Sequence, residues 1–138
     1  MSAAESNEPT LYQQLGGDAG VRALVDAFYT RMDDDARFRV LRALHPPSLD
    51  GSRDKLYWFL CGWSGGPDYF VERFGHPRLR ARHLPFSIGV QERDQWLCCM
   101  DEAMTQCKLP QPLHQRLRQS FLQTADWMRN RAEPGSPG

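Results

Sequence analysis

Apolar residues recur at helical spacing along most of the chain. Val21, Leu24, Val25, Phe28, Tyr29 and Met32 fall on one face of a helical period, and Leu56, Phe59, Leu60 and Trp63 form a second stripe. A third runs through Trp96, Leu97, Met100, Ala103, Met104 and Cys107, and a fourth through Leu113, Leu117, Phe121, Ala125 and Met128. Each stripe must be hidden from water, so the pattern predicts four amphipathic helices packed together.

Proline sets their limits, because inside a helix it removes a backbone donor and clashes with the preceding turn. The ten prolines leave proline-free runs at 10–45, 48–66, 87–109 and 113–133, and these are the candidate helices. Asp18 and Ser52 each follow a glycine and are candidate N-caps, while Gly65-Gly66 is a candidate helix end. Between Pro67 and Phe86, Gly75, Pro77 and Pro85 leave room only for short helical turns and loop. Val, Ile and Thr number five, one and four, too few to furnish strands. The predicted fold class is all-α, with one domain at 10–131 and tails at 1–9 and 132–138 that carry no apolar period.

Composition narrows the function. Lys plus Arg equals Asp plus Glu at 17 each, so the chain lacks the basic excess that phosphate backbones attract, and neither nucleic acid nor an anionic membrane is an expected partner. The opening MSAAESNEPT has no basic start or apolar run, and the apolar patch from Tyr57 to Trp63 is too short to span a bilayer. A cytoplasmic location is expected. Cys61, Cys98, Cys99 and Cys107 lie on helical segments, as in a reducing compartment. Adjacent helical residues point about 100° apart, so Cys98 and Cys99 are poorly placed to clamp one zinc ion and are expected as small buried side chains. Phosphate-loop, dinucleotide, zinc-protease and nucleophile-elbow motifs are absent.

The histidines are the remaining chemistry. Imidazole is a common haem-iron ligand, and one suffices. His83 follows Arg78, Arg80 and Arg82, an arrangement open to a ligand with a neighbouring guanidinium on a haem propionate, or to a plain basic surface turn. His76, between Gly75 and Pro77, is expected as a hydrogen-bonding loop residue. His45, before Pro46-Pro47, either faces a pocket or closes a helix. His114 lies off its stripe and is expected in solvent. Tyr29 and Trp96 lie on apolar stripes, each with one donor that needs a partner when buried.

Trp63-Ser-Gly-Gly-Pro67, the stretch from Glu72 through His76 and His83 to Phe86, and Glu92 to Met100 together resemble the group II truncated haemoglobins, as do Leu11 to Gly17 and Phe28-Tyr29. The resemblance spans about residues 10 to 131. It implies a two-over-two helical sandwich with a shortened first helix and glycine hinges at 16–17 and 65–66. It implies haem b held by His83, with Tyr29, His45 and Trp96 lining the gas-binding face, Leu56 over the haem and Ser52 where other globins carry a distal histidine. Phe28, Phe59 and Phe86 would contact the haem, and Lys55 and Arg82 would pair with propionates. The sequence departs from the commoner pattern at Phe70, where many members carry tyrosine, and in a stretch three residues longer between Tyr29 and His45.

The function so implied is reversible binding of dioxygen and other diatomic ligands. It would serve redox chemistry with nitric oxide or peroxide, or sensing, with a reductase as electron donor and a monomer or weak homodimer as the assembly. A nitric oxide dioxygenase-like or peroxidase-like activity fits the same site. The alternative is a haem-free helical interaction domain or a thiol-metal protein.

Overall fold

The computed structural model describes residues 8–86 and 88–129. The expected tails at 1–9 and 132–138 lie outside the described residues except for Glu8 and Pro9. The chain enters helix α1 (Leu11–Leu15) through a reciprocal cap: Gln13 N donates to Thr10 Oγ1 at 3.1 Å and Thr10 N to Gln13 Oε1 at 2.9 Å. Gly16 ends it with φ 102°, a left-handed turn open to glycine, and α2 (Gly17–Asp34) starts at once. A Cβ on Gly20 would sit 1.7 Å from the Leu15 carbonyl oxygen, so the end of α1 lies directly on the first turns of α2.

Asp35 stops α2 by accepting from Arg37 N at 2.9 Å, which opens a 3-10 turn over Ala36–Phe38 and then α3 (Arg39–Arg42). The run at 10–45 is therefore broken by Gly16 and Asp35 rather than continuous. After Pro46-Pro47 comes α4 (Asp50–Trp63), then the short α5 (Tyr69–Phe74) and α6 (Leu79–His83), and finally α7 (Val90–Gln106) and α8 (Gln111–Trp127). Pro112 sits in the first turn of α8, where its missing N–H costs nothing, so that helix begins ahead of the proline.

Helix α2 packs on α4 and on α7, α7 packs on α8, and α4 carries α5. The two pairs, α2 with α4 and α7 with α8, make the expected all-α two-over-two sandwich, and no strand occurs among the described residues. Val21, Val25 and Phe28 of α2 are wholly buried with Cys99 and Ala103 of α7 and Leu117 of α8. Burying side chains of this size contributes roughly 1.5–3 kcal/mol for each large one. Trp63 of α4 stacks on Phe121 of α8 at 4.9 Å, joining the two layers. No helix among the described residues is long and apolar enough to cross a membrane.

Four expectations are corrected. Ser52 does not cap α4, which begins at Asp50, where Ser48 Oγ accepts from the Asp50 N–H at 3.3 Å. Cys98 is exposed while Cys99 is buried, the consequence of their angular offset on α7. His114 is 8% exposed, three residues before Leu117 and seven before Phe121 on the inner face of α8, and its Nε2 lies 2.7 Å from Asp101 Oδ1. Asp18 does not cap α2. Its carboxylate accepts from the Tyr12 hydroxyl and, at 2.8 Å, from the Tyr69 hydroxyl, tying α1, α2 and α5 together. Those hydrogen bonds hold Asp18 below the usual carboxylate range and push Tyr12 and Tyr69 up to about 12.

Gly20→Ala gains about 1 kcal/mol of helix propensity and meets backbone that cannot yield cheaply, so a net loss of about 2 kcal/mol is expected, read as a Tm lower by several degrees. Asp18→Asn removes the charge that keeps two phenols protonated, so in an ultraviolet titration two tyrosines ionise nearer pH 10 than in wild type. The Asp18 contribution to stability is present above the ordinary carboxylate pKa and disappears as pH falls through the lowered value, so wild type and Asp18→Asn converge in acid.

Candidate functional site

Two histidines are set by the same local device. His45 Nδ1 lies 3.0 Å from the Leu41 carbonyl, and His83 Nδ1 lies 2.6 Å from the Leu79 carbonyl, each one helical turn upstream. A carbonyl only accepts, so in each ring Nδ1 carries the proton and Nε2 the lone pair. An Nδ1–H bond to a backbone carbonyl is the usual orienting contact of a metal-bound imidazole. Burial, with Arg42 and His83 adding to it, lowers the His45 pKa, so the titration near neutrality suggested by its type moves to the acid side.

His83 is aimed by a constrained approach. Gly75 has φ 79°, His76 Nδ1 accepts from Arg78 N at 3.1 Å, and Arg78 adopts φ 47° at the head of α6. His76 is thus the hydrogen-bonding loop residue its neighbours predict.

Rings fill the space beside His45. His45 meets Tyr29 at 5.8 Å, Tyr29 meets Phe28 at 5.0 Å, and Phe28 meets Trp96 at 5.2 Å. Trp96 continues to Phe121 at 5.4 Å. Tyr29 is only 6% exposed, and burial raises its phenol pKa well beyond the ordinary value despite Arg53 at 5.9 Å from the ring, so it remains a donor. Neither the Tyr29 hydroxyl nor the Trp96 indole N–H has a hydrogen-bond partner among the described residues. Both donors are therefore open to an acceptor that the described residues do not supply.

The rim comes from α4, α5 and α6. Tyr57, Trp58 and Phe59, consecutive on α4, meet Tyr69, Phe74 and Phe70 of α5 at 6.1, 6.0 and 6.2 Å. Lys55 Nζ lies 5.9 Å over Phe74, and the Arg82 guanidinium lies 5.1 Å over Phe70 while its Nε donates to the Pro77 carbonyl at 2.6 Å. Phe86 stands 6.5 Å from the His83 ring. Leu56 is half-buried against the core, and Ser52 is half-buried in the first turn of α4 without a side-chain hydrogen bond among the described residues.

The structure therefore joins Phe28, Tyr29, His45 and Trp96 in one ring cluster, His83 with Phe86, and Phe59, Lys55 and Arg82 around Phe70 and Phe74. Sequence reasoning did not identify the supports behind them. Gln95 Oε1 accepts from Leu41 N at 3.0 Å and so fixes the turn that carries His45, and Phe121 backs Trp96. Phe121 was visible as a stripe residue, whereas Gln95 gives no sequence signal. The thiol-metal alternative finds no cluster of three His, Cys, Asp or Glu residues among the described residues. A cleft of about 610 Å³ opens between α8 and residues 76–81, with His76, Arg78 and Trp127 in its walls beside Phe59 and the Leu79 that orients His83, so it is continuous with the site.

Known proteins share this architecture and sequence. The bacterial-like globin profile matches residues 10–130. A group 2 truncated haemoglobin of Bacillus subtilis is 37% identical over 122 residues, covering 88% of this chain and 89% of that protein. A cold-adapted truncated haemoglobin of Pseudoalteromonas haloplanktis superposes with a TM-score of 0.87 at 43% identity, over 90% of this chain and 100% of that one. A group II two-on-two haemoglobin of Agrobacterium tumefaciens gives 0.87 at 42% identity, over 94% and 98%. With the profile spanning the helical sandwich and these relatives covering nearly all of it, the chain belongs to the bacterial-like globins, among the group II truncated haemoglobins.

Proposed function

We propose that the chain holds haem b through His83 and reversibly binds dioxygen or another diatomic ligand on the Tyr29 face. The work it serves is redox chemistry with nitric oxide or peroxide, or sensing, rather than bulk transport. The observation that carries this reading is the pair of ring donors, the hydroxyl of buried Tyr29 and the N–H of half-buried Trp96, that no atom of the described residues satisfies. The names of the relatives, haemoglobins throughout, agree with it.

When bound, the haem supplies an iron centre able to take a diatomic ligand. His83 Nε2 offers the lone pair that the Leu79 hydrogen bond orients. Lys55 and Arg82 would bind the propionates, while Phe28, Leu56, Phe59 and Phe86 form apolar walls and Ser52 leaves the ligand side open. Tyr29 and Trp96 donate to the polar ligand. At about 1–1.5 kcal/mol each they slow its release by roughly 30- to 150-fold together, which suits retention and reaction better than delivery. His45 presents an acceptor at neutral pH, so it can take a proton from a ligand or water and return it, the role a peroxide reaction needs.

Titration of the apoprotein with haemin should give one equivalent and a Soret band typical of histidine ligation. His83→Ala, with unchanged far-ultraviolet circular dichroism, should lose that spectrum. Wild type that takes up no haem specifically would remove the reading. Tyr29→Phe should release oxygen roughly tenfold faster and carbon monoxide with less change; equal rates would remove the donor role. Ligand kinetics should be flat from pH 7 to 9 and change only below about 6.5, the side to which His45 is shifted. A transition centred above neutrality would exclude His45 as its source.

A further inference from the structure

Charge is segregated on this molecule. Although acids and bases balance at 17 each, no Asp or Glu occurs between Glu72 and Glu92, where Arg73, Arg78, Arg80 and Arg82 all lie. Elsewhere Arg22, Arg31, Arg37, Arg42, Arg53, Arg93, Arg118 and Arg129 form ion pairs. Arg73, Arg78 and Arg82 form none among the described residues. Two of them are held in place without being neutralised. Arg73 donates to the Tyr69 carbonyl at 3.1 Å with its guanidinium 4.4 Å over Trp58, and Arg82 donates to the Pro77 carbonyl at 2.6 Å.

These cations surround exposed apolar surface. Val71 and Phe74 are each 43% exposed and Leu84 is 55% exposed. An apolar centre with charges at its rim is the makeup of protein interfaces, whereas a phosphate polymer is met by cations without that centre.

We propose that this face, residues 73–84 with Val71 beside them, docks an acidic electron-donor protein whose carboxylates ring an apolar contact patch. The proposal rests on the haem reading for its purpose, since α6 within this face ends in His83. In that reading the propionates take up Lys55 and Arg82 and leave Arg73 and Arg78 uncompensated. Attraction of opposite fields raises association rates by roughly 10- to 1,000-fold and weakens as salt screens it.

The probe is reduced plant-type ferredoxin, an acidic iron–sulfur protein, mixed with the ferric haem protein from about 0.01 M to 1 M ionic strength, where the screening length falls from about 30 Å to 3 Å. Wild type should be reduced fastest at low salt. Arg73→Glu/Arg78→Glu should be at least tenfold slower there and converge with wild type at high salt, while a neutral flavin radical reduces both equally. Arg39→Glu/Arg116→Glu, with the same change in net charge elsewhere on the surface, should behave like wild type. Binding is read separately from backbone amide shifts of the nitrogen-labelled protein, expected at residues 71–84, so the face is tested even if haem uptake fails. Equal ferredoxin rates for the two double variants, shifts outside 71–84, or preferred binding of anionic vesicles or RNA over ferredoxin at physiological salt would overturn the proposal.

Discussion

Helix α2 is covered on two sides at once, by α4 and by α7, and nearly everything else follows from the single rotational setting this permits. With Val21, Leu24, Val25, Phe28 and Met32 almost wholly buried, the helix cannot turn about its axis without exposing one of them. Tyr29 is then carried about 100° from Phe28, out of the close-packed seam and towards His45. Gly20 makes the same setting possible at the other end by letting α1 lie against the backbone.

Around that helix, polar groups fall into two populations. Most are paired: Asp18 serves two phenols, Glu102 serves Arg31 and Arg37, and Asp101 meets His114. Exposed pairs of this kind contribute little each to stability, yet they fix which segments lie side by side. The groups left without such partners include the Tyr29 and Trp96 donors of the ring cluster, and Arg73, Arg78 and Arg82, whose guanidiniums meet no carboxylate among the described residues. A polar group that the protein does not pair is open to something else.

Much of this was legible in the sequence. The stripes located α2, α4, α7 and α8, and the prolines and glycines separated the short α5 and α6 from them, because amphipathic period and chain breakers are local properties. The site was less so. Tyr29 and Trp96 read as core aromatics with one donor each, and that no group among the described residues takes up those donors is a three-dimensional fact. Residue resemblance picked them out where periodicity could not. Asp18 and His114 were misread for a related reason: capping and solvation were judged from neighbours in sequence, whereas Tyr12, Tyr69 and Asp101 compete for these groups from other segments.

The run of touching rings from His45 through Tyr29, Phe28, Trp96 and Phe121 to Trp63 has a consequence for divergence within such chains. Trp96 is wedged between Phe28 and Phe121, so its indole inherits its position from α8 and, through Trp63, from the far end of α4. A lineage can therefore retune ligand affinity by repacking the back of the sandwich, leaving every pocket side chain identical. Inspection of the pocket alone would then find two functionally different proteins indistinguishable.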